Sequence, residues 1–144
     1  MVDGDRRRLL KASGALLVVG AMQGPGLAKG APAPASGGNP ELVDAAGVCA
    51  RAGEACLAHC LSAFAAGDTS LARCATLVQQ MIVGCDAIAK LAAHGSAHLA
   101  AFVAACRDVC ADCEVECRKH EAHHEICKRC ADACAAFVKV AART

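Results

Sequence analysis

The sequence has few of the large side chains that usually fill a protein core. It contains no Trp, no Tyr and only three Phe, at Phe64, Phe102 and Phe137. It also has no excess of charge, since its formal net charge is +1, and we therefore expect no nucleic-acid partner. Apolar residues still make up 56% of the chain, and Ala and Cys supply much of that fraction. Such a chain needs another way to hold its interior together.

Cysteine is what the sequence has in abundance, with 12 residues in 144. This density is typical of a disulfide scaffold or a metal site. The length predicts a single domain after any leader segment. The sequence shows no Ser-His-Asp grouping, no paired-carboxylate site and no phosphate-binding loop, so we do not expect an enzyme.

The first segment resembles an export signal. Residues 6–11, Arg-Arg-Arg-Leu-Leu-Lys, match the twin-arginine pattern, and an apolar run over 12–22 and an Ala- and Pro-rich stretch follow. The run is too short to span a membrane as a helix. We predict cleavage after Ala35, which gives a signal region over 1–35 and a Cys-rich bundle over 36–144. The mature protein is then expected in the periplasm or otherwise outside the cytoplasm, free of the membrane.

Helix start and stop signals divide the remaining chain. Asn39, Pro40 and Glu41 form a strong start, because Asn caps, Pro fits the first helical position and the acid suits the positive end of the helix dipole. Gly67 and Gly95 are typical stop residues. Four helices are predicted, over about residues 40–66, 69–93, 97–118 and 122–142. Asp68 or Thr69 is expected to cap the second. Similar lengths and short connections predict an all-α, antiparallel up-down-up-down four-helix bundle with a Cys-lined core.

The cysteines share one spacing along the four predicted helices. Positions i, i+7 and i+11 lie on one helical face and form a stripe. Two stripe positions hold Met81 and His123 instead, and thioether and imidazole also bind Cu(I). With Cys110 and Cys127 beside the stripes, the candidate metal ligands are Cys49, Cys56, Cys60, Cys74, Met81, Cys85, Cys106, Cys110, Cys113, Cys117, His123, Cys127, Cys130 and Cys134.

Charged residues lie off these stripes, as Arg51, Asp86 and Lys128 illustrate. The stripes are therefore expected to face each other in the interior of the bundle. Neighbouring helices lie about 8–10 Å apart, so thiolates from two helices can bind the same ion. Other interpretations stay open: buried thiols as small core residues, a disulfide-stapled structural protein, a zinc site at the Cys-x-x-Cys pairs, or an electron-transfer protein with a metal cluster.

The two ends of the predicted bundle differ in chemistry. His59, His120, His123 and His124 gather where the turns after the first and third helices lie, an end that we call the mouth. We expect apolar residues to seal the opposite end: Leu42, Val43, Leu91, Leu99, Phe102, Val103, Phe137 and Val138. Metal should therefore enter at the mouth.

From about residue 40 to 142, the Cys-x-x-x-Cys and Cys-x-x-Cys steps resemble those of the bacterial copper storage proteins, and the twin-arginine segment resembles the exported branch of that family. The resemblance implies that core thiolates bind and store many Cu(I) ions, largely between thiolate pairs, with His or Met near the mouth. It also implies a homotetramer. For a store of copper ions we expect a copper donor or recipient protein as partner. One departure is that the exported branch has several Met at the mouth, whereas Met81 is the only Met after residue 35 here.

Overall fold

The chain forms four helices that pack into a bundle. The computed structural model describes residues 39–144, so the predicted export signal and its cleavage site lie outside the described residues. The helices are α1 (Pro40–Ala65), α2 (Ala72–Ala93), α3 (Leu99–Arg118) and α4 (Glu125–Ala141). Each helix packs on the next, and α4 returns to pack on α1. The predicted four-helix bundle is confirmed.

Contacts between thiols show how neighbouring helices are aligned. Cys49 of α1 contacts Cys134 of α4, and Cys56 of α1 contacts Cys127 of α4. Along the bundle, the contacts therefore involve later residues of α1 and earlier residues of α4. This order is the one expected of two neighbouring helices that run in opposite directions. The contacts between α2 and α3 follow the same order.

The predicted start of α1 and the ends of α1 and α2 are confirmed at their caps. The Asn39 side chain accepts a hydrogen bond from the backbone N–H of Glu41 at 3.0 Å, and Pro40 opens α1. Gly67 ends α1 with a φ of 86°, a conformation that Gly adopts at little cost. The N–H of Asp68 then bonds to the carbonyl of Ala63 at 3.0 Å, which satisfies the last turn. Gly95 ends α2 in the same way, with a φ of 59°.

The predicted cap of α2 is wrong. The Asp68 carboxylate accepts the N–H of Ser70 at 2.9 Å and so shapes the turn before the helix. The carbonyl of Thr69 accepts the N–H of Ala72 at 3.1 Å, which adds a further turn. Leu71 occupies the cap position with its side chain fully buried. Burial of this leucine, and not a polar cap, anchors the start of α2.

The fourth helix begins three residues later than predicted. Turns occupy the connection after Arg118, and the carbonyl of His120 accepts hydrogen bonds from the N–H groups of His123 and His124 at 3.1 and 3.0 Å. No Gly or Pro marks this connection in the sequence. The hydrogen bonds to one carbonyl show why the chain turns here before α4 starts at Glu125.

Apolar residues fill the end of the bundle opposite the mouth. Leu42, Ile88, Val103 and Phe137 are buried there. The prediction for Phe102 is wrong, because this side chain is 48% exposed. Phe102 directly precedes Val103 on α3 and so points about 100° away from the buried face. The expected residues Val43, Leu91, Leu99 and Val138 are partly buried.

Helix α2 is also long and apolar enough to cross a membrane, judged by length and composition alone. In the bundle this helix buries Cys74, Met81 and Cys85 against its neighbours. A core helix of a bundle meets the same criteria, so they are weak evidence for a membrane span.

Candidate metal centre

The thiols of all four helices converge on the bundle interior. Each of the 12 cysteines is buried and none forms a disulfide. Cys106 is 3% exposed and the others are fully buried. The stripes thus face one another as predicted. Thiols take much of the interior volume that large apolar side chains fill in other bundles.

The sulfur atoms are close enough to share ions. Among the described residues, several trios have Sγ atoms that all lie within 4.8 Å of one another. These trios are Cys49–Cys85–Cys110, Cys56–Cys74–Cys127, Cys56–Cys117–Cys130 and Cys113–Cys130–Cys134. The Sγ atoms of Cys85, Cys106 and Cys110 also lie 3.8–3.9 Å apart. Because some thiols belong to two trios, the sites are not separate but overlap.

The contacts divide most thiols into two groups. The deep group lies toward the apolar end and consists of Cys49, Cys85, Cys106 and Cys110. The mouth group consists of Cys56, Cys60, Cys74, Cys113, Cys117, Cys127 and Cys130. Cys134 contacts both groups, since it shares a trio with Cys113 and Cys130 and lies 3.7 Å from Cys49.

The one methionine of the stripes also lies among the thiols. Met81 is fully buried, and its Sδ atom is 3.4 Å from the Sγ of Cys49. This approach depends on Gly53 of α1, because a Cβ atom there would lie 2.5 Å from Met81 Cε and 2.8 Å from Ile82 Cγ1. The stripe position of Met81 indicates its place among the thiols, but no pattern in the sequence indicates the glycine that makes room for it.

Most of the thiols hold their protons tightly in the metal-free protein. Burial raises the pKa of Cys60 to about 11 and that of Cys127 to about 12. Cys49, Cys106 and Cys130 differ, because hydrogen bonds from neighbouring thiols lower their pKa values, that of Cys106 to about 4. An incoming cation must displace the bound protons, so metal binding releases protons and weakens in acid.

Two histidines bridge the helices at the mouth. The Nε2 atom of His59 on α1 and the Nδ1 atom of His124, just before α4, are 2.8 Å apart. The ring of His120 lies beside this pair, with its centroid 6.4 Å from that of His124. The prediction that His123 continues the α4 stripe is wrong, because His123 lies in the preceding turn and is exposed.

A buried carboxylate that the sequence did not indicate lies beside the thiols. Glu116 is 6% exposed, and it accepts hydrogen bonds from Lys119 at 2.7 Å and from Arg73 at 3.1 Å. Lys119 and the neighbouring cations hold the pKa of Glu116 below its usual range. Arg73 and Glu116 each precede a thiol of the Cys74–Cys117 pair, whose Sγ atoms are 3.5 Å apart. The ion pair therefore joins α2 to α3 beside that pair, and nothing in the spacing of Glu116 indicates it.

Comparison with known proteins supports the sulfur-based interpretation of the site. A family model described as copper storage protein matches residues 37–143, which include all four helices. No curated protein shows significant similarity to the chain. The family match therefore covers every thiol of the mouth and deep groups.

Proposed function

The chain belongs to the copper storage protein family, and we propose that its core thiols hold several Cu(I) ions at once. The observation that carries the proposal is the set of 12 buried free thiols arranged in overlapping trios. A disulfide framework is disfavoured by the same observation, because these thiols are unpaired across the bundle. The role proposed is storage and not catalysis.

The type of ligand supports Cu(I) as the stored ion, and the spacing of the sulfurs is compatible with it. Thiolate and thioether are soft ligands that select Cu(I). With a metal–sulfur bond of about 2.3 Å, three sulfurs around one ion lie about 4 Å apart and two opposite sulfurs about 4.6 Å apart. The trios lie within 4.8 Å, and contacts such as Cys74–Cys117 and Cys49–Cys134 measure 3.5 and 3.7 Å. Ions with two or three sulfur ligands would fit with little movement.

Overlap between the trios supports binding of several ions in one bundle. Cys56 belongs to two trios, and so does Cys130. A thiolate can bridge two Cu(I) ions, so filling one trio would not exclude filling the next. Each ion carries one positive charge and replaces thiol protons, so the interior would stay close to neutral as it fills. We propose as ligands the 12 cysteines and Met81.

The histidines at the mouth support the uptake of Cu(I) at this end of the bundle. His59 and His124 offer ring nitrogens near the surface, next to the mouth group in sequence. The opposite end is covered by buried Leu42 and Phe137. A neutral imidazole binds Cu(I) less strongly than a thiolate does and can pass the ion inward. His123 is not proposed as a ligand of the filled store, because it is exposed on the turn.

Export, assembly and partners complete the proposal. The twin-arginine pattern in residues 6–11 supports export and cleavage, after which the protein would act outside the cytoplasm and off the membrane. Resemblance to the copper storage proteins supports a homotetramer, and the storage of copper ions supports a copper donor or recipient protein as partner.

Competition between metals tests the proposal. The reduced protein lacking residues 1–35 is mixed anaerobically with Cu(I) and Zn²⁺ together and measured by native mass spectrometry. We expect a series of copper adducts, each heavier by one copper less one proton, with little zinc. Protein whose thiols have been alkylated is the control and should bind neither ion. Zinc adducts in place of copper, or a single adduct of either metal, would contradict the proposal.

A further inference from the structure

One thiol connects the two sulfur groups of the bundle. Cys134 lies on α4 and is fully buried. Its Sγ atom lies within 4.8 Å of those of Cys113 and Cys130, which belong to the mouth group. It also lies 3.7 Å from the Sγ atom of Cys49, which belongs to the deep group. Cys134 thus stands in contact distance of both sets of ligands.

Beyond this thiol the deep group forms its own short chain of contacts. Cys49 shares a trio with Cys85 and Cys110. Cys106 follows at 3.8 Å from each of Cys85 and Cys110. An ion at Cys49 can therefore reach every deep thiol by steps no longer than 4.8 Å. The apolar end beyond Cys106 offers no thiol in the described residues.

We propose that Cys134 is the bridge through which Cu(I) passes between the mouth group and the deep group. The inference rests on the proposed storage of Cu(I), and it adds a transport role for one residue of the store. Uptake at the mouth then fills the seven mouth thiols first. The deep thiols fill afterwards, by way of Cys134 and Cys49.

The transfer step is an exchange of one sulfur ligand for another. The Cys134 sulfur binds an ion held by Cys113 and Cys130, which gives a three-coordinate ion, and one of the two original copper–sulfur bonds then breaks. The Cys134 thiol loses its proton, and the released thiolate takes up a proton. The same exchange passes the ion on to Cys49. Copper stays Cu(I) throughout, so no oxidant or reductant is needed.

Removal of the bridging sulfur tests this role. Cys134→Ala and wild type are loaded anaerobically with excess Cu(I) from a small-molecule donor, and ultraviolet absorbance of copper–thiolate bonds is followed by stopped flow. The variant should begin uptake at the wild-type rate, because the trio Cys56–Cys74–Cys127 at the mouth does not include Cys134. Loading of the deep thiols, about a third of the remaining ligands, should become a separate phase slowed about tenfold or more. Removal of copper by a chelator should show the same slow fraction.

Cys106→Ala is the matched control, because it removes the deep thiol that lies furthest from Cys134 in the series of sulfur contacts. It should lower the capacity without adding a slow phase. Circular dichroism checks that both variants keep their helices. If Cys134→Ala loses helix, Cys134→Ser replaces it, since this variant keeps a heavy atom in place of the sulfur but is a poor ligand for Cu(I). Single-phase loading of the Cys134 variant at the wild-type rate would overturn the bridge, as would an equal slow phase in Cys106→Ala. If wild type itself binds no copper, the storage function fails, and the bridge fails with it.

Discussion

Two helices approach each other closely at Gly84 of α2, and this contact allows a quantitative prediction. A Cβ atom at Gly84 would lie 2.8 Å from the Sγ atom and 3.4 Å from the Cβ atom of Cys106 on α3. The first distance is about 1 Å shorter than a favourable contact, which lies near 3.5–4.0 Å. Gly84→Ala must therefore displace the Cys106 side chain or move α3 away from α2.

The size of the effect follows from two opposing contributions. Overpacking a filled interior destabilises a protein by about 1–3 kcal/mol. Replacing Gly by Ala inside a helix stabilises it by about 1 kcal/mol. Gly84→Ala should thus lower the free energy of unfolding by up to about 2 kcal/mol. Gly47 of α1 provides the matched control, since a Cβ atom there meets only the flexible end of Arg51, at 3.3 Å. Gly47→Ala should raise the free energy of unfolding by about 1 kcal/mol.

Thermal unfolding of the reduced, metal-free variants measures this difference by circular dichroism. A domain of this size shifts its melting temperature by about 4 °C or more per kcal/mol, so Gly84→Ala should melt well below Gly47→Ala. The displaced Cys106 sulfur should also weaken copper binding by the deep group. If Gly84→Ala melts at or above the temperature of Gly47→Ala, the close packing of α2 on α3 at this position is wrong.

Other predictions concern the mouth, the thiols and the folded state. His124→Ala should slow the initial uptake of Cu(I) in stopped flow with little change in capacity, whereas His123→Ala should match wild type; equal rates for all three proteins would contradict uptake through the histidine pair. The pKa of Cys60 is raised to about 11 and that of Cys127 to about 12 from 9.0, so the unfolded thiols ionise first as the pH rises. These groups should therefore stabilise the metal-free protein fully below pH 9, and this stabilisation should be lost between pH 9 and 12. Urea unfolding under anaerobic conditions measures it. A urea midpoint of unfolding that stays constant over this pH range would contradict the raised pKa values. The metal-free protein should already be helical by circular dichroism, and copper should raise its melting temperature because it binds the folded state; a coil spectrum would contradict a preformed site.

The sequence predicted those parts of the fold that depend on local chemistry. Helix stops at Gly67 and Gly95 depend on a backbone conformation that Gly adopts readily, so the residue type alone indicates them. The burial of the cysteines follows from their spacing, because any helix places i, i+7 and i+11 on one face. The start of α1 at Pro40 depends on the adjacent Asn39 cap in the same way.

The parts that depend on contacts between helices were not predictable in this way. The turn before α4 is fixed by hydrogen bonds to the His120 carbonyl, and a shift of three residues moved His123 off the helix. The burial of Glu116 depends on Arg73 from another helix. The role of Cys134 between the two sulfur groups depends on how α1 and α4 are rotated relative to each other. The spacing of cysteines along the sequence does not give this rotation.

Anaerobic titration tests most directly whether the bundle stores several Cu(I) ions. The thiols of the reduced protein lacking residues 1–35 are counted first in denaturant, and Cu(I) is then added in competition with a chelator of known affinity. We expect nearly 12 free thiols per chain and tight uptake of several ions before the chelator takes copper. Few free thiols, or saturation at a single ion per chain, would contradict the proposed storage.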